Sequence, residues 1–289
     1  MNNNCIIALI FILLQFNLIF SQSEENKSIE IETNDGNIFL GEIIEENEEH
    51  YKIVSKDGIE IVVPKSSVKK IEYMIITEVD GEVWRPDPNK SMYLFAPSAY
   101  PIEKNKAYCR DFCLFFPSYN RGVGNNISVQ AGAFIIPSAD IGSLPIILSG
   151  KYSFPSISAT RFAAGIMYIN FPFGEEESFG GGIAFGTATY GNRFKHITAS
   201  LGWGYVQSDG DWYFAEEPML VLASNYRTSN TFSIIAELWK FPQSSIENIP
   251  LMVAGRFIGR KIAVDLGFIL SIELASVPPP LLNFTYYMN

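Results

Sequence analysis

The chain has 289 residues, with 31 acidic and 21 basic side chains, a formal net charge of −10 and 47% hydrophobic residues. The charge is uneven: Glu24–Lys90 holds 17 acidic and 8 basic residues, a net −9, whereas Ser91–Asn289 holds 14 and 13, a net −1. This asymmetry predicts two domains in different surroundings. The acidic first part excludes nucleic-acid binding, which needs a basic surface.

The first residues, 1–22, predict a secretory signal peptide. Ile6–Phe20 is almost entirely apolar and is followed by small polar residues, Ser21-Gln22-Ser23. An apolar stretch of about 15 residues at this place is typical of a signal peptide and is short for a transmembrane helix. The segment before it lacks Lys and Arg, which departs from the usual pattern. Because later apolar runs are also too short for a helix, further membrane contact would need strands.

Residues 24–76 predict a small all-β domain. Apolar alternation begins at Ile29, and turn signals follow at Asn34–Asn37 and Lys56–Gly58. About five short strands up to Tyr73 favour a small, strongly bent barrel.

The turns and strands of this domain also carry a resemblance. The residues concerned are Asp35-Gly36, Gly41, Ile43, Asp57-Gly58, and Ile61 through Val68 to Ile71. In these positions the domain resembles the SH3/Sm-like modules attached to bacterial exported proteins. The resemblance implies a periplasmic adaptor or spacer, with contact to a periplasmic protein or to peptidoglycan as the alternative. Residues 77–90, which include Pro86 and Pro88, are predicted to be a linker.

From about Tyr93 to the C-terminus, short apolar-alternating runs are separated by connectors that switch between long and short. The long connectors are Pro101–Tyr108, Pro137–Pro145, Phe171–Phe179, Val206–Glu217, Phe241–Pro250 and Glu273–Pro280. The short connectors are Gly122–Asn126, Pro155–Ser158, Tyr190–Arg193, Arg227–Asn230 and Gly259-Arg260. This rhythm predicts roughly twelve strands in residues 91–289, with both ends of the domain on the short-turn side.

The two faces of the predicted strands differ in composition. In His196–Tyr205 apolar residues alternate with His, Thr, Ser and Gly, and Ile127–Ala133, Arg161–Tyr168 and Lys261–Leu270 repeat the division. Soluble exteriors are charged at about a quarter of their positions or more, but here the polar face carries only occasional charges. The apolar face carries almost none, as expected where a charge facing lipid costs about 2–4 kcal/mol. The sequence therefore predicts an all-β chain, a small SH3/Sm-like barrel followed by an antiparallel transmembrane β-barrel of about twelve strands.

Aromatic residues near the strand ends are typical of the girdles at the two membrane boundaries. Leu282, Phe284 and Tyr286 fit a final strand of the kind that the barrel-insertion machinery recognises. At Tyr93–Ala99, Phe115–Ser118 and Gly122–Ser128, this domain resembles uncharacterised outer-membrane β-barrels of Bacteroidetes-type bacteria. The resemblance brings no activity. It implies a porin-like barrel in the bacterial outer membrane, in contact with its lipid and inserted by that machinery, with the N-terminal domain in the periplasm.

Polar residues on the inward parity form the candidate site, a lumenal cluster. They are Lys151, Arg161, His196, Thr198, Glu237, Arg256 and Asp265. Glu237, Arg256 and Asp265 fall on three consecutive strands, which predicts a cross-strand ion-pair cluster. Two interpretations stay open: polar side chains that fill a narrow lumen, or a selectivity lining for a small polar solute.

His196 and Thr198 also invite comparison with the twelve-stranded outer-membrane phospholipases, which place a catalytic His and Ser two residues apart on one strand. Here the second residue is Thr, the parity points inward, and no orienting Asn is identifiable. We therefore expect a lumenal histidine, and no catalytic, cofactor-binding or metal-ligating residues. Cys109 and Cys113 lie too far apart on one strand for a disulfide, which predicts two free thiols.

The sequence as a whole predicts a non-enzymatic outer-membrane protein. It is either a small-solute channel or a structural protein that holds the acidic module beneath the membrane. The alternative is a barrel enzyme that modifies lipid or lipopolysaccharide.

Overall fold

The structure is a computed structural model that describes residues 24–55, 58–79, 82–84, 87, 89–137, 144–156, 158–171, 179–208, 211–244, 249–270 and 278–288. The chain forms two compact units, Ser21–Pro86 and Asp87–Asn289. In these ranges the regular structure is β, apart from a short 3-10 turn at Lys65–Ser67. None of the helical segments in the described residues is long and apolar enough to cross a membrane.

The N-terminal unit is one antiparallel sheet of six strands. They are β1 Glu24–Thr33, β2 Ile38–Glu46, β3 His50–Val54, β4 Glu60–Pro64, β5 Val68–Val79 and β6 Glu82–Trp84. Their order is β4-β3-β2-β1-β5-β6. Ile29, Ile31, Ile53 and Val63 form its buried core. The predicted turn after β1 is present, and Gly36 adopts the positive φ of +86° that favours glycine there.

The five predicted strands of this unit are present, and a sixth lies in the segment that the sequence predicts as a linker. β5 pairs with β1 from Val68, opposite Thr33, to Glu78, opposite Glu24. β6 then pairs back onto the end of β5. Because the alternation of apolar and polar residues stops at Met74-Ile75-Ile76 while the pairing with β1 continues, the sequence alone ends the sheet too early. The SH3/Sm-like identity of the sheet stays a prediction.

The second unit is a closed antiparallel barrel of twelve strands, as predicted. They are β7 Ala107–Phe112, β8 Phe116–Gly122, β9 Ile127–Ala133, β10 Ile146–Ser153, β11 Thr160–Phe171, β12 Phe179–Gly191, β13 Lys195–Ser208, β15 Met219–Ser229, β16 Phe232–Lys240, β17 Leu251–Ile258, β18 Ile262–Leu270 and β19 Pro280–Met288. A short strand, β14 Asp211–Phe214, pairs with the end of β13. The β12–β13 and β7–β19 pairings close the ring.

Both ends of the barrel lie on the same side, since Ala107 at the start of β7 pairs with Met288 at the end of β19. This side also holds the turns from β8 to β9, β10 to β11, β12 to β13, β15 to β16 and β17 to β18. We call it the short-turn end, and the opposite side the long-connector end. The long connectors join β9 to β10 and each later pair on that side.

The predicted number of strands is correct, although two strands were assigned wrongly: one predicted strand is absent, and another is in fact two strands. The run that begins at Tyr93 is not a strand of the barrel, and the stretch from Tyr108 to Gly122 is two strands, β7 and β8. The turn between these two places Cys113 and Leu114 at φ values of +54° and +64°. No Gly, Pro, Asn or Asp marks that turn at either position, so the usual sequence signal is missing. Cys109 and Cys113 are free thiols, as predicted.

The exterior of the barrel is apolar at the predicted positions. Phe162, Ile166, Leu266 and Phe268 are 51–56% exposed, although each is a large hydrophobic side chain. Their neighbours on the opposite parity, such as Ala163 and Asp265, are buried. Leaving such surface in water costs about 25 cal/mol per Å². The exterior is therefore suited to hydrocarbon, with the polar residues turned inward.

Candidate functional site: the plugged lumen

Residues 89–102, which we call the plug, lie inside the barrel, and the exposed residues 103–106 connect the plug to β7. Tyr93, Leu94, Ala96 and Ser98 are at most 1% exposed. The segment contains no regular strand; Met92 and Pro97 form an isolated bridge, Ser98 N–H donates to the Ser91 carbonyl at 3.0 Å, and Tyr93 N–H donates to the Ala96 carbonyl at 2.9 Å. Proline cannot donate to a strand ladder, and Pro97 and Pro101 lie within or just after the run predicted as a strand. The backbone of the plug instead hydrogen-bonds to side chains of the barrel wall.

Glu237 on β16 binds the plug through its carboxylate. The Oε1 atom accepts backbone N–H groups of Leu94, Phe95 and Ala96 at 2.5, 2.7 and 3.0 Å. The Oε2 atom accepts the indole N–H of Trp239 at 2.9 Å. Successive backbone N–H groups that converge in this way make an anion-binding concavity. A negative charge on a fully buried wall residue is thereby satisfied by the plug's own backbone.

Lys151 on β10 makes the complementary contact with carbonyl groups. Its ammonium donates to the carbonyl oxygens of Ser91, Ser98 and Tyr100 at 3.1, 2.6 and 2.8 Å. An ammonium has three N–H donors, so these bonds use all of them. Lys151 thus binds the plug on both sides of its central turn.

Arg256 on β17 and Asp265 on β18 form a buried ion pair beneath the plug. Arg256 Nε lies 2.6 Å from Asp265 Oδ1, and Nη2 lies 3.0 Å from Oδ2. Nη2 also donates to the Tyr93 carbonyl at 2.8 Å. Arg110 contacts the same carboxylate at 3.4 Å and donates to the Leu94 carbonyl. Arg256 and Arg110 therefore hold two consecutive carbonyls of the plug.

Hydroxyl and aromatic groups complete the contact surface. Tyr93 Oη lies 2.5 Å from Thr198 Oγ1, which lies 2.6 Å from Thr189 Oγ1. The His196 ring packs between Tyr93 and Tyr100, with ring centroids 5.2 and 5.3 Å away. Its Nδ1 atom lies 3.1 Å from the Asn192 carbonyl oxygen. Thr198 and His196 therefore bind the plug rather than each other.

The structure brings six of the seven predicted cluster residues into direct contact with the plug. Arg161 stacks over the Tyr100 ring, its guanidinium carbon 5.0 Å from the centroid. Asp265 acts through Arg256. The predicted acid–base–acid cluster is corrected: Arg256 pairs with Asp265, whereas Glu237 binds backbone N–H groups. The physical reason is register, since Glu237 lies opposite Met252, and Arg256 lies opposite Ser233 nearer the short-turn end.

The sequence did not identify Arg110, Thr189 and Asn283 as site residues. Arg110 was hidden because one strand was assigned where β7 and β8 turn back on each other. Asn283 donates to Asp265 at 3.1 Å and, like Arg110, sits on the inward parity next to the ion pair. A correct assignment of β7 would have placed Arg110 on the inward-facing side of the strand by alternation alone. In the part of the chain that the structure describes, no group of three or more His, Cys, Asp or Glu side chains could hold a metal ion.

The inner wall changes character along the barrel axis. Near the short-turn end the inward positions are mainly polar, and this is where the plug is bound. Near the long-connector end the inward positions are apolar. They include Phe112, Phe116, Ile147, Met167, Ile183 and Met219. Val221, Trp239, Met252, Ile269 and Leu281 continue the series on β15 to β19.

No family model matches the sequence, and no curated protein matches it. Among solved structures, a loop L8 deletion mutant of OmpT, an outer membrane protein of Vibrio cholerae, is 8% identical, with 92% of this chain and 98% of that chain covered and a TM-score of 0.37. The in-vitro folded OmpT of Vibrio cholerae is 9% identical, covers 93% of this chain and 99% of that one, and gives 0.35. Salmonella typhi OmpF in complex with daunomycin is 7% identical, covers 91% and 96%, and gives 0.34. With its closed twelve-stranded sheet and apolar exterior, the chain has an outer-membrane β-barrel fold.

Proposed function

We propose that the protein is a closed, non-enzymatic outer-membrane barrel that anchors its acidic N-terminal unit to the membrane. The observation that carries the proposal is the plug, which is continuous with the N-terminal unit and binds the inner wall from several strands. A charge-assisted hydrogen bond contributes about 1.5–3 kcal/mol, and Glu237, Lys151 and Arg256 each donate or accept several with the plug. The plug is thus an integral part of the barrel.

The plug favours an anchor over a channel. A selectivity lining must offer its polar groups to a passing solute. Lys151 has all its ammonium hydrogens on plug carbonyls, and one Glu237 oxygen accepts three plug N–H groups. The charged groups on the inner wall near the short-turn end are therefore bound to the plug and are not available to a solute.

The same contacts favour a non-enzymatic role. A nucleophile needs a base within hydrogen-bond reach. The Thr198 hydroxyl is bonded to Tyr93 and Thr189, and His196 Nδ1 faces the Asn192 carbonyl. The His196→Ala variant should accordingly show the same level of lipid hydrolysis as the wild type, at the level of a protein-free control.

Orientation follows from the two ends of the barrel. Outer-membrane barrels turn their short connections to the periplasm and their long ones outward. The start of β7 and the end of β19 both lie at the short-turn end. The N-terminal unit then lies in the periplasm, where an SH3/Sm-like adaptor could contact a periplasmic protein or peptidoglycan.

Planar-bilayer recording of the purified full-length protein tests the closed barrel. We expect no ohmic channels from the wild type, and ohmic channels after deletion of residues 89–100. Leu148→Ala, a change on the lipid-facing parity, is the control and should be silent. Ohmic wild-type channels, or silence of a folded plug deletion, would contradict the proposal.

Cysteine labelling tests the orientation in a Cys109→Ser, Cys113→Ser background. An impermeant maleimide should label Ser244→Cys, in the connector after β16, on intact cells. Ser66→Cys in the N-terminal unit should be labelled only after the outer membrane is permeabilised. Labelling of Ser66→Cys on intact cells would place the unit outside and overturn the anchor.

A further inference from the structure

The apolar half of the lumen is unusual for an outer-membrane barrel, because such interiors are ordinarily polar. A cavity of about 90 Å³ lies between the plug and the wall. Its apolar lining includes Phe95 of the plug and, from the wall, Phe116, Met167, Phe185, Met219 and Trp239. Apolar surface in contact with water costs about 25 cal/mol per Å². An empty or water-filled cavity here is unfavourable, and an apolar occupant would relieve that cost.

A second cavity lies next to the first one, nearer the long-connector end. It has a volume of about 430 Å³ and is lined by Ile169, Gly181, Val206 and Tyr213 among others. The two cavities share Ile183 and follow each other along the inner wall of β11 to β13. We call them together the chamber.

Lys151 and two serine hydroxyls at the plug side of the chamber are already engaged. Lys151 lines the first cavity, but its three donors are bound to plug carbonyls. Ser128 accepts the Ile102 N–H at 2.9 Å, and Ser91 bonds to the Tyr108 hydroxyl at 3.0 Å. A charged head group would have no counter-charge to meet there. The occupant of the inner end of the chamber is therefore a hydrocarbon group.

We propose that the chamber binds the alkyl chain of a single-chain aliphatic molecule, with the chain pointing toward the plug and any polar head toward the long-connector end. Two cavities that follow each other along one wall favour a chain over a compact ring. The unbranched side chains of Met167 and Met219 can adapt to a flexible ligand. Binding of such a chain does not depend on the anchoring role, since Glu237, Arg256 and Thr198, which bind the plug, do not line the chamber.

Fluorescence quenching of Trp239 tests the proposal with a fatty acid that carries bromine on its terminal carbon. The other tryptophans are replaced in the full chain by Trp84→Phe, Trp203→Phe and Trp212→Phe. We expect saturable quenching at about one probe per protein. A companion protein that retains only Trp203, which is 46% exposed on the exterior, reports partition into detergent or lipid and should show non-saturable quenching.

Two adjacent positions on β10 allow a larger side chain to be placed either inside the chamber or, as a control, on the outer face of the barrel. Ser149 lines the chamber, and Leu148 is exposed on the lipid face. Ser149→Phe should weaken binding roughly tenfold or more by overfilling the site, and Ser149→Leu should weaken it less. Leu148→Phe should leave it unchanged. Heat-dependent gel migration verifies that each variant is folded.

The proposal is overturned by non-saturable quenching of Trp239, or by equal affinities of the folded Ser149→Leu and Leu148→Phe variants. Either result would leave the plug and the anchoring role intact, since those are tested by conductance and labelling. Saturable quenching in a protein that conducts ions would do the reverse, with the chamber supported and the closed barrel rejected.

Discussion

Glu237 and Leu94 are 143 positions apart in the chain, yet the carboxylate of the first accepts the backbone N–H of the second at 2.5 Å. The same oxygen accepts the next two N–H groups of the plug. One wall residue therefore fixes the turn at the centre of the plug. Because this contact closes the lumen from within, its removal gives the first prediction.

Glu237→Ala should destabilise the plug more than Glu237→Gln. Alanine leaves three buried N–H groups and the Trp239 indole without an acceptor, at about 1–3 kcal/mol for each unsatisfied group. Glutamine keeps one acceptor oxygen and loses the charge. Unfolding followed by heat-dependent gel migration should rank wild type above Gln above Ala. Equal midpoints for the three proteins would show that the contact does not stabilise the barrel.

Arg256 and Asp265 should behave as a strongly coupled pair. Breaking a buried pair by removing one partner costs about 3–5 kcal/mol because the other charge is left buried. Arg256→Met and Asp265→Asn should each cause a large loss, and the double variant should cost clearly less than their sum. A double-mutant cycle on urea midpoints measures the coupling. Lys261→Met, at an exposed position before β18, is the control and should have little effect. Additive losses would contradict a direct ion pair.

The stabilisation from the ion pair between Lys90 of the plug and Glu103 should depend on pH. Lys90 Nζ lies 2.6 Å from Glu103 Oε1, and its charge lowers the pKa of the Glu103 carboxyl from the ordinary value of 4.5. A lowered folded-state pKa means that the pair stabilises the protein above the unfolded value and loses this contribution as pH falls through the folded value.

The size of this effect is small, since Glu103 is 56% exposed and such pairs contribute about 0–1 kcal/mol. Wild type should be slightly more stable than Glu103→Gln at neutral pH, and the two should converge in acid, as the Glu103 carboxyl becomes protonated in the folded protein. Thermal midpoints measured from neutral to acid pH check this. A constant difference at all pH values would assign the effect to packing.

The sequence predicted the barrel well because period-two alternation survives in every long strand. In β13 the parity of His196 and Thr198 against Leu201 and Trp203 is enough to separate the lumen from the exterior. The turn between β7 and β8 was missed because Cys113 and Leu114 adopt positive φ without a turn residue. No local pattern could correct this, since the turn is set by pairing of the flanking strands.

The plug was missed for a different reason. Tyr93–Ala99 has the apolar character of a strand, and what removes it from the sheet is its set of contacts with residues far away in the chain. The alternation placed Glu237 correctly on the inner face of the barrel. Its partners, however, are backbone N–H groups, which every residue except proline carries, so the sequence does not show which residues it binds. Pro97 and Pro101 were the available signal against a strand.

Hydrogen exchange of the plug amides is the sharpest test of whether the plug occupies the lumen. The N–H groups of Leu94, Phe95 and Ala96 donate to a buried carboxylate, so in the folded full-length protein they should exchange as slowly as amides of the barrel strands. Glu237→Ala should accelerate exchange in this segment while β10 stays protected. If these amides exchange in the wild type as fast as those of an unstructured peptide, this segment does not occupy the lumen and the barrel is not plugged.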